Sequence, residues 1–214
     1  MSGDFKKNTG LPASLGAGFT IIEFIISISI VIVMLVIVTS NQSTYTDGIS
    51  LSNLADEISV TISQAQAYGV GVRELTPGSS DFSIAYGLTF SLLSSGSPSA
   101  YIYFVDRNGN KIYDGDWSCQ IGGASECLNK TSISRGNYIE DICVVRSSGG
   151  DQCSVGRIDI SFVRPTPDPR LLFFNQSGNQ LDLPNTIGAK LILKSPGGAS
   201  KSVMVYHTGQ ITVQ

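Results

Sequence analysis

The chain has 214 residues, room for one globular domain with an extension, and a formal net charge of −3 from 14 Lys+Arg against 17 Asp+Glu. That balance excludes a globally basic nucleic-acid surface. Charged residues make up only 14%, against about 25% in an ordinary soluble domain, while 23 glycines suit short strands joined by tight turns.

The first strong feature is an apolar run from Phe19 to Val38, interrupted only by Thr20, Glu23, Ser27 and Ser29. Twenty residues at about 1.5 Å each span about 30 Å, the hydrocarbon thickness of a bilayer. Neither Gly nor Pro breaks the run, so it is expected to be one helix. Lys6 and Lys7 precede it and no Lys or Arg follows before Arg73. The positive-inside bias therefore places the N-terminus in the cytoplasm and everything after Val38 outside. A secretory signal would have a shorter core of about 7–15 residues and a small-residue cleavage site, which "VTSNQST" supplies poorly. A plain signal anchor explains length and orientation, but not Glu23. A carboxylate in hydrocarbon costs about 2.5–3.5 kcal/mol even on lenient insertion scales and by default marks function.

Beyond the run, Asn41 to Ser50 is polar and includes Gly48, which weakens a helix by about 1 kcal/mol relative to Ala. Leu51, Leu54, Ala55, Ile58, Ile62 and Ala65 then recur at helical spacing. This reads as the amphipathic half, residues 39–69, of the same long helix, its apolar stripe packing on a sheet. "YGVG" from Tyr68 ends it. From residue 70 to 214 the texture becomes short alternating segments with turn signals. Strands are expected at Phe82–Leu93, Ala100–Asp106, Asn137–Arg146, Gly156–Arg164, Arg170–Asn175, Ala189–Ser195 and Lys201–Val213, the last a hairpin about "HTGQ". One long helix followed by such strands defines an α+β chain with a mostly antiparallel sheet or sandwich.

Four cysteines, Cys119, Cys127, Cys143 and Cys153, all lie on the expected outer side, which implies two disulfides. Three connectivities are open; Cys119–Cys127 and Cys143–Cys153, which close the short loops, are favoured. Zinc is a poor rival, since no C-x-x-C pair exists and the single histidine, His207, is distant. "DRNGNKIYDGD", Asp106 to Asp116, admits two readings. Asp106, Asn108 and Asn110 stand at i, i+2 and i+4 like the first oxygens of a calcium loop, with Asp114 a further ligand, although Lys111 and Trp117 occupy the positions where that loop wants Gly and Glu. The other reading is a hairpin turn at Asn108-Gly109 joining Tyr101–Arg107 to Asn110–Asp114. No nucleophile elbow or phosphate-cradling loop is present and His207 has no partner at catalytic spacing, so no enzyme activity is expected. Asn41, Asn129 and Asn175 head glycosylation sequons, which arise by chance at short length.

"GFTIIE", Gly18 to Glu23, resembles the prepilin cleavage and methylation motif of type IV pilins and pseudopilins. The resemblance implies a leader of residues 1–18, cleavage between Gly18 and Phe19 by a prepilin peptidase, methylation of the Phe19 amine by the same enzyme, and a mature helix with Glu23 at its fifth position. It further implies that Glu23 meets the Phe19 ammonium of a neighbouring subunit, so that two costly charges neutralise each other on assembly. The absence of Pro between Phe19 and Gly69 departs from many major pilins and implies a straighter helix. The later segments "YFVDRNGN" and "GAKLILKSPGGASKSVMVYHTGQITV" are similar to the GspH/FimT branch of minor pilins, an implied structural subunit of a type IV pilus or type II secretion filament. Expected partners are other pilins or pseudopilins, assembly platform proteins and the inner membrane, which the chain crosses once, N-in and C-out, before entering a periplasmic or extracellular filament. Some FimT-like proteins bind DNA; Lys190, Lys194, Lys201 and His207 are the residues available for it. Loss of the leader, with Lys6, Lys7 and Asp4, leaves 12 against 16 charges, or −4, an unfavourable balance. A tip subunit that grips a surface or secreted protein, and an anchored domain unrelated to filaments, are the remaining alternatives.

Overall fold

A computed structural model describes residues 18–71, 84–123 and 125–214. Residues 1–17 of the expected leader and the start of the first expected strand, Phe82 and Ser83, lie outside the described residues. Helix α1 runs Ile21–Val70 without a Pro. Among the described residues ten strands follow: β1 Ala85–Ser91, β2 Ser97–Asp106, β3 Cys127–Ser132, β4 Tyr138–Arg146, β5 Arg157–Phe162, β6 Arg170–Phe174, β7 Gln180–Leu181, β8 Thr186–Lys194, β9 Ser200–Tyr206 and β10 Ile211–Val213. The chain is thus α+β, with antiparallel pairing throughout. It divides into two compact units, one ending at Gln42 and one beginning at Ser43.

In the first unit the apolar side chains of α1 are all exposed, from Ile28 at 42% to Ile21 at 82%. Ile21–Thr39 is long and apolar enough to cross a membrane, and none of it is buried within the protein. It has the character of a membrane anchor or a signal sequence.

The second unit holds the core. One sheet has the order β3-β2-β1-β5-β6-β7 and the other β10-β9-β8-β4. Leu51, Leu54, Ala55, Ile58, Ile62 and Ala65, the stripe read from the sequence, are all buried. They share one cluster with Leu88, Phe90, Ile158, Ile160 and Phe162 of the first sheet and Leu191, Leu193, Val203 and Val205 of the second. Each full-sized aliphatic side chain so buried stabilises by about 1.5–3 kcal/mol. Close backbone approach fixes how α1 sits on β5: a Cβ on Gly69 would lie 2.7 Å from the carbonyl carbon of Phe162.

The opposite face of the first sheet is covered as well. Ile102, Phe104, Tyr113 and Cys127 form a second, smaller cluster, with Trp117 and Cys119 packed against it. Tyr113, Trp117 and Cys119 belong to the long β2–β3 connection, which folds back over the sheet. The hairpin expected at Asn108-Gly109 is therefore corrected. Strand β2 ends at Asp106 and pairs with β3, as in Tyr101↔Thr131, not with Asn110–Asp114. A two-residue type I′ turn needs positive φ at both central positions, and here Gly109 has it (φ 83°) while Asn108 does not. β3 and the two-residue β7 are strands not expected from the sequence.

Candidate functional site

Two places carry groups that a packed core does not require: the start of α1 and the β2–β3 connection.

At the start of α1, Thr20 is the N-cap. Its Oγ1 accepts the Glu23 amide at 3.3 Å, and its carbonyl accepts the Phe24 amide at 3.1 Å. Thr20-x-x-Glu23 is the sequence form of a capping box, and an acidic group in the first turn is favoured by the helix dipole. Composition and run length do not disclose this; the T-x-x-E spacing ahead of an apolar segment does. The remaining polar groups of the run are satisfied locally. Ser27 Oγ donates to the Glu23 carbonyl and Ser29 Oγ to the Ile25 carbonyl, each at 2.8 Å, the back-bonding that lets hydroxyls sit in a helix. Among the described residues nothing pairs with the Glu23 carboxylate. In an apolar medium it is the one expensive group of the segment. Gly18 and Phe19 precede the cap, with Phe19 82% exposed.

The β2–β3 connection is held by three buried carboxylates. Asp106 Oδ1 and Oδ2 accept the amides of Gly109 at 2.7 Å and Lys111 at 2.9 Å. Glu126 Oε1 and Oε2 accept those of Arg107 at 3.2 Å and Asp114 at 2.9 Å. Asp159 Oδ2 accepts that of Tyr113 at 3.0 Å. Five loop amides are thus anchored without a strand partner, which satisfies the requirement that buried backbone groups be paired. Arg157 neutralises Asp159 through Nε at 2.9 Å and through Nη2, and lies over the Phe174 ring at 4.8 Å. Burial pushes the carboxyls of Asp159 and Glu126 above the ordinary carboxylate range. It also pushes the Tyr113 phenol up to about 12, with the Asp116 charge adding to it. The bridges Cys119–Cys127 and Cys143–Cys153 both form, the first closing this connection onto β3.

The proposed calcium ligands come together in part. Asn108 Nδ2 and Asn110 Nδ2 both donate to Asp114 Oδ2 at 2.6 Å. The side-chain oxygens of the two asparagines accept the amides of Asn110 and Ile112, and Asp106 is fully engaged by amides. To ligate a cation at Asp114, both asparagine amides would have to turn over. A separate group of possible metal ligands, Asp141, Cys143 and Cys153, offers no thiolate, because its sulfurs are bonded to each other.

His207 is exposed in the β9–β10 turn, its amide donating to the Ile187 carbonyl at 2.8 Å, and it borders an open cleft of about 580 Å³ with Leu171, Phe173, Leu181 and Thr186. The cations considered for DNA do not converge. Lys190 and Lys194 point away from the core on β8, with Lys194 bound by Glu140, which raises its pKa. Lys201 lies instead beside Tyr45, Gly48 and Ile49 of α1. Of the sequons, Asn129 is exposed on β3, with Nδ2 donating to Thr131 Oγ1 at 3.3 Å. Asn175 is occupied in a turn, accepting the amides of Ser177 and Asn179. The side chain of Asn41 lies outside the described residues.

No family model matches the chain, and no curated protein or solved structure matches it significantly. What fold and site define is a class: a disulfide-bonded antiparallel β domain preceded by a long N-terminal helix whose first part is compatible with a transmembrane anchor.

Proposed function

We propose that this chain is a minor pilin or pseudopilin, a non-enzymatic structural subunit of a type IV pilus or type II secretion-type filament. The observation that carries the reading is the start of α1. A carboxylate without a described partner sits in a segment whose other polar groups are all satisfied, and it lies one turn after the Gly18–Phe19 junction. Cleavage there creates an ammonium at Phe19, and two such charges from neighbouring subunits relieve each other's desolvation. An unpaired Glu23 then favours assembly over the isolated anchored state. The supporting architecture is an apolar N-terminal helical segment and a β domain whose core is built on the stripe Leu51 to Ala65. Processing by a prepilin peptidase/methyltransferase on the cytoplasmic side, crossing of the inner membrane once and hand-over to platform proteins belong to the same proposal. A tip role in binding DNA, a surface or a secreted protein has no comparable support, since the basic residues are divided between two faces.

The test is intact mass and N-terminal sequencing after co-expression with a prepilin peptidase, beside Gly18→Ala and Glu23→Ala. A chain beginning at methylated Phe19, lost in Gly18→Ala, and a Glu23→Ala chain that is cleaved but not assembled, are the expected results. Full-length chains throughout would remove the proposal and leave an anchored β domain.

A further inference from the structure

The four sheet edges differ in how they are closed. The outer edge of β4 is occupied, because Val144 and Gln152 exchange amide–carbonyl bonds at 2.7 and 3.0 Å. Edge β7 has only two residues. Edge β3 carries Lys130, whose ammonium is held against Trp117 at the carbonyl, and a lysine on an edge opposes strand addition. Among the described residues, edge β10 has none of these protections. From Gln210 to Gln214 it reads Gln-Ile-Thr-Val-Gln, with no charged side chain and three β-branched residues.

The pairing pattern shows which groups are open. Ser202 and Gln214 exchange bonds at 2.8 and 2.9 Å, in register with Met204↔Thr212. Antiparallel bonding alternates along a strand, so the amides and carbonyls of Ile211 and Val213 face away from β9. No described residue bonds them. The Thr212 hydroxyl is buried on the sheet face and has no hydrogen-bond partner among the described residues.

The segment is also palindromic in character about Thr212. Laid antiparallel on a copy of itself, it sets Gln210 opposite Gln214, Ile211 opposite Val213 and Thr212 opposite Thr212. Ile211 and Val213 then exchange four backbone bonds across the two chains, using every open group with none left over. The amide side chains at both ends meet as donor and acceptor, and the aliphatic pairs meet on the core side, where Ile211 and Val213 already pack. A self-matching edge of this kind generates a closed two-fold contact rather than an open series.

We infer that β10 is a homotypic docking edge, through which two copies of this chain join their four-stranded sheets into one eight-stranded sheet centred on Thr212. The pairing does not rest on the filament reading, and failure of Gly18 processing would leave it standing.

The experiment uses full-length protein in detergent, carrying Thr212→Cys. The native cysteines are all consumed in disulfides, so the new thiol is the reactive one. Directly opposed positions of a non-hydrogen-bonded pair have Cβ atoms about 4.5–5.5 Å apart, close enough to bridge with small adjustment. Copper-phenanthroline oxidation should give a disulfide-linked dimer about tenfold faster than for Ser132→Cys on the exposed β3 edge. Adding Gln210→Lys with Gln214→Lys sets like charges opposite at both ends and should abolish the cross-link. Adding Gln210→Lys with Gln214→Glu sets opposite charges together and should keep it. These outer positions are exposed, so folding is not at stake. No dimer from Thr212→Cys, equal dimer from Ser132→Cys, or a dimer indifferent to the two charge patterns would each overturn the inference.

Discussion

Gly48 and Gly69 lie in the same helix, and the same substitution should move stability in opposite directions at the two sites. In a helix interior Ala is preferred to Gly by about 1 kcal/mol. At Gly48 a new Cβ meets nothing within 4 Å, so Gly48→Ala should realise that gain in full. At Gly69 the Cβ would lie 2.7 Å from the carbonyl carbon of Phe162 and 2.8 Å from its Cβ, with the carbonyl oxygen nearer still. Those atoms belong to the end of β5, whose side chain is fully buried, so neither side can give way. Overpacking costs about 1–3 kcal/mol, and a backbone obstacle on both sides puts this site near the top of the range. The clash wins over the propensity gain, for a net loss of about 2 kcal/mol. In a chain of this size that is about 4–8 °C in Tm down for Gly69→Ala, against about 2–4 °C up for Gly48→Ala. Urea and thermal unfolding of the detergent-solubilised chain, followed by the fluorescence of its single tryptophan, Trp117, would measure both. A Gly69→Ala variant as stable as the parent would refute the packing of α1 against β5 argued above.

Three further outcomes follow from the β2–β3 connection. Cys119→Ser with Cys127→Ser should cost about 2–3 kcal/mol by restoring unfolded-chain freedom, and should red-shift Trp117, which packs against the same small cluster as Cys119; an unchanged spectrum and midpoint would mean that the bridge does not hold the connection down. Arg157→Ala leaves the fully buried Asp159 with the Tyr113 amide but no cation, and should lower the urea-derived stability by about 3–5 kcal/mol; a loss below about 1 kcal/mol would refute the ion pair's role. Glu126, raised by burial ahead of the lowering by the Asp114 and Arg107 amides, holds its proton more tightly folded than unfolded. Its contribution is therefore present below the unfolded carboxylate pKa and is lost as pH rises through the raised folded one. Measured from acid to neutral pH, the stability of the parent relative to Glu126→Gln should fall, and a relative rise would show that the amide bonds, not desolvation, dominate.

The helix and most strands were legible because their signals are local. The stripe from Leu51 to Ala65 has the 3.6-residue period of a one-sided helix, and all six positions are buried. Strands such as β1 and β9 announce themselves by β-branched and aromatic residues between turn signals. β3 did not, since "CLNKTS" has a single large aliphatic residue and its place is set by pairing with β2 and by the bridge at Cys127, both long-range facts. The two-residue β7 is below the length at which any period exists.

The connection after Asp106 shows why a local turn signal misleads. Asn108-Gly109 is a strong hairpin dipeptide, but a hairpin there would need Asn110–Asp114 to pair back along β2 and leave the outer face of Ile102 and Phe104 to water. The folded chain instead brings Tyr113 and Trp117 over those side chains, and the carboxylates of Asp106, Glu126 and Asp159 replace the strand partners that the loop amides forgo. Glu126 and Asp159 stand 20 and 53 residues after Asp106, too far for any motif to associate them. Of the carboxylates that resemble cation ligands in the sequence, Asp106 therefore has a different occupation in the fold: it binds backbone amides. A test separates the two uses. If amide anchoring is its role, adding millimolar calcium to the intact chain should leave its unfolding midpoint unchanged, whereas a cation that seats on Asp114 and the turned amides of Asn108 and Asn110 would raise it by mass action, by about 2.7 kcal/mol at a hundredfold excess over its Kd.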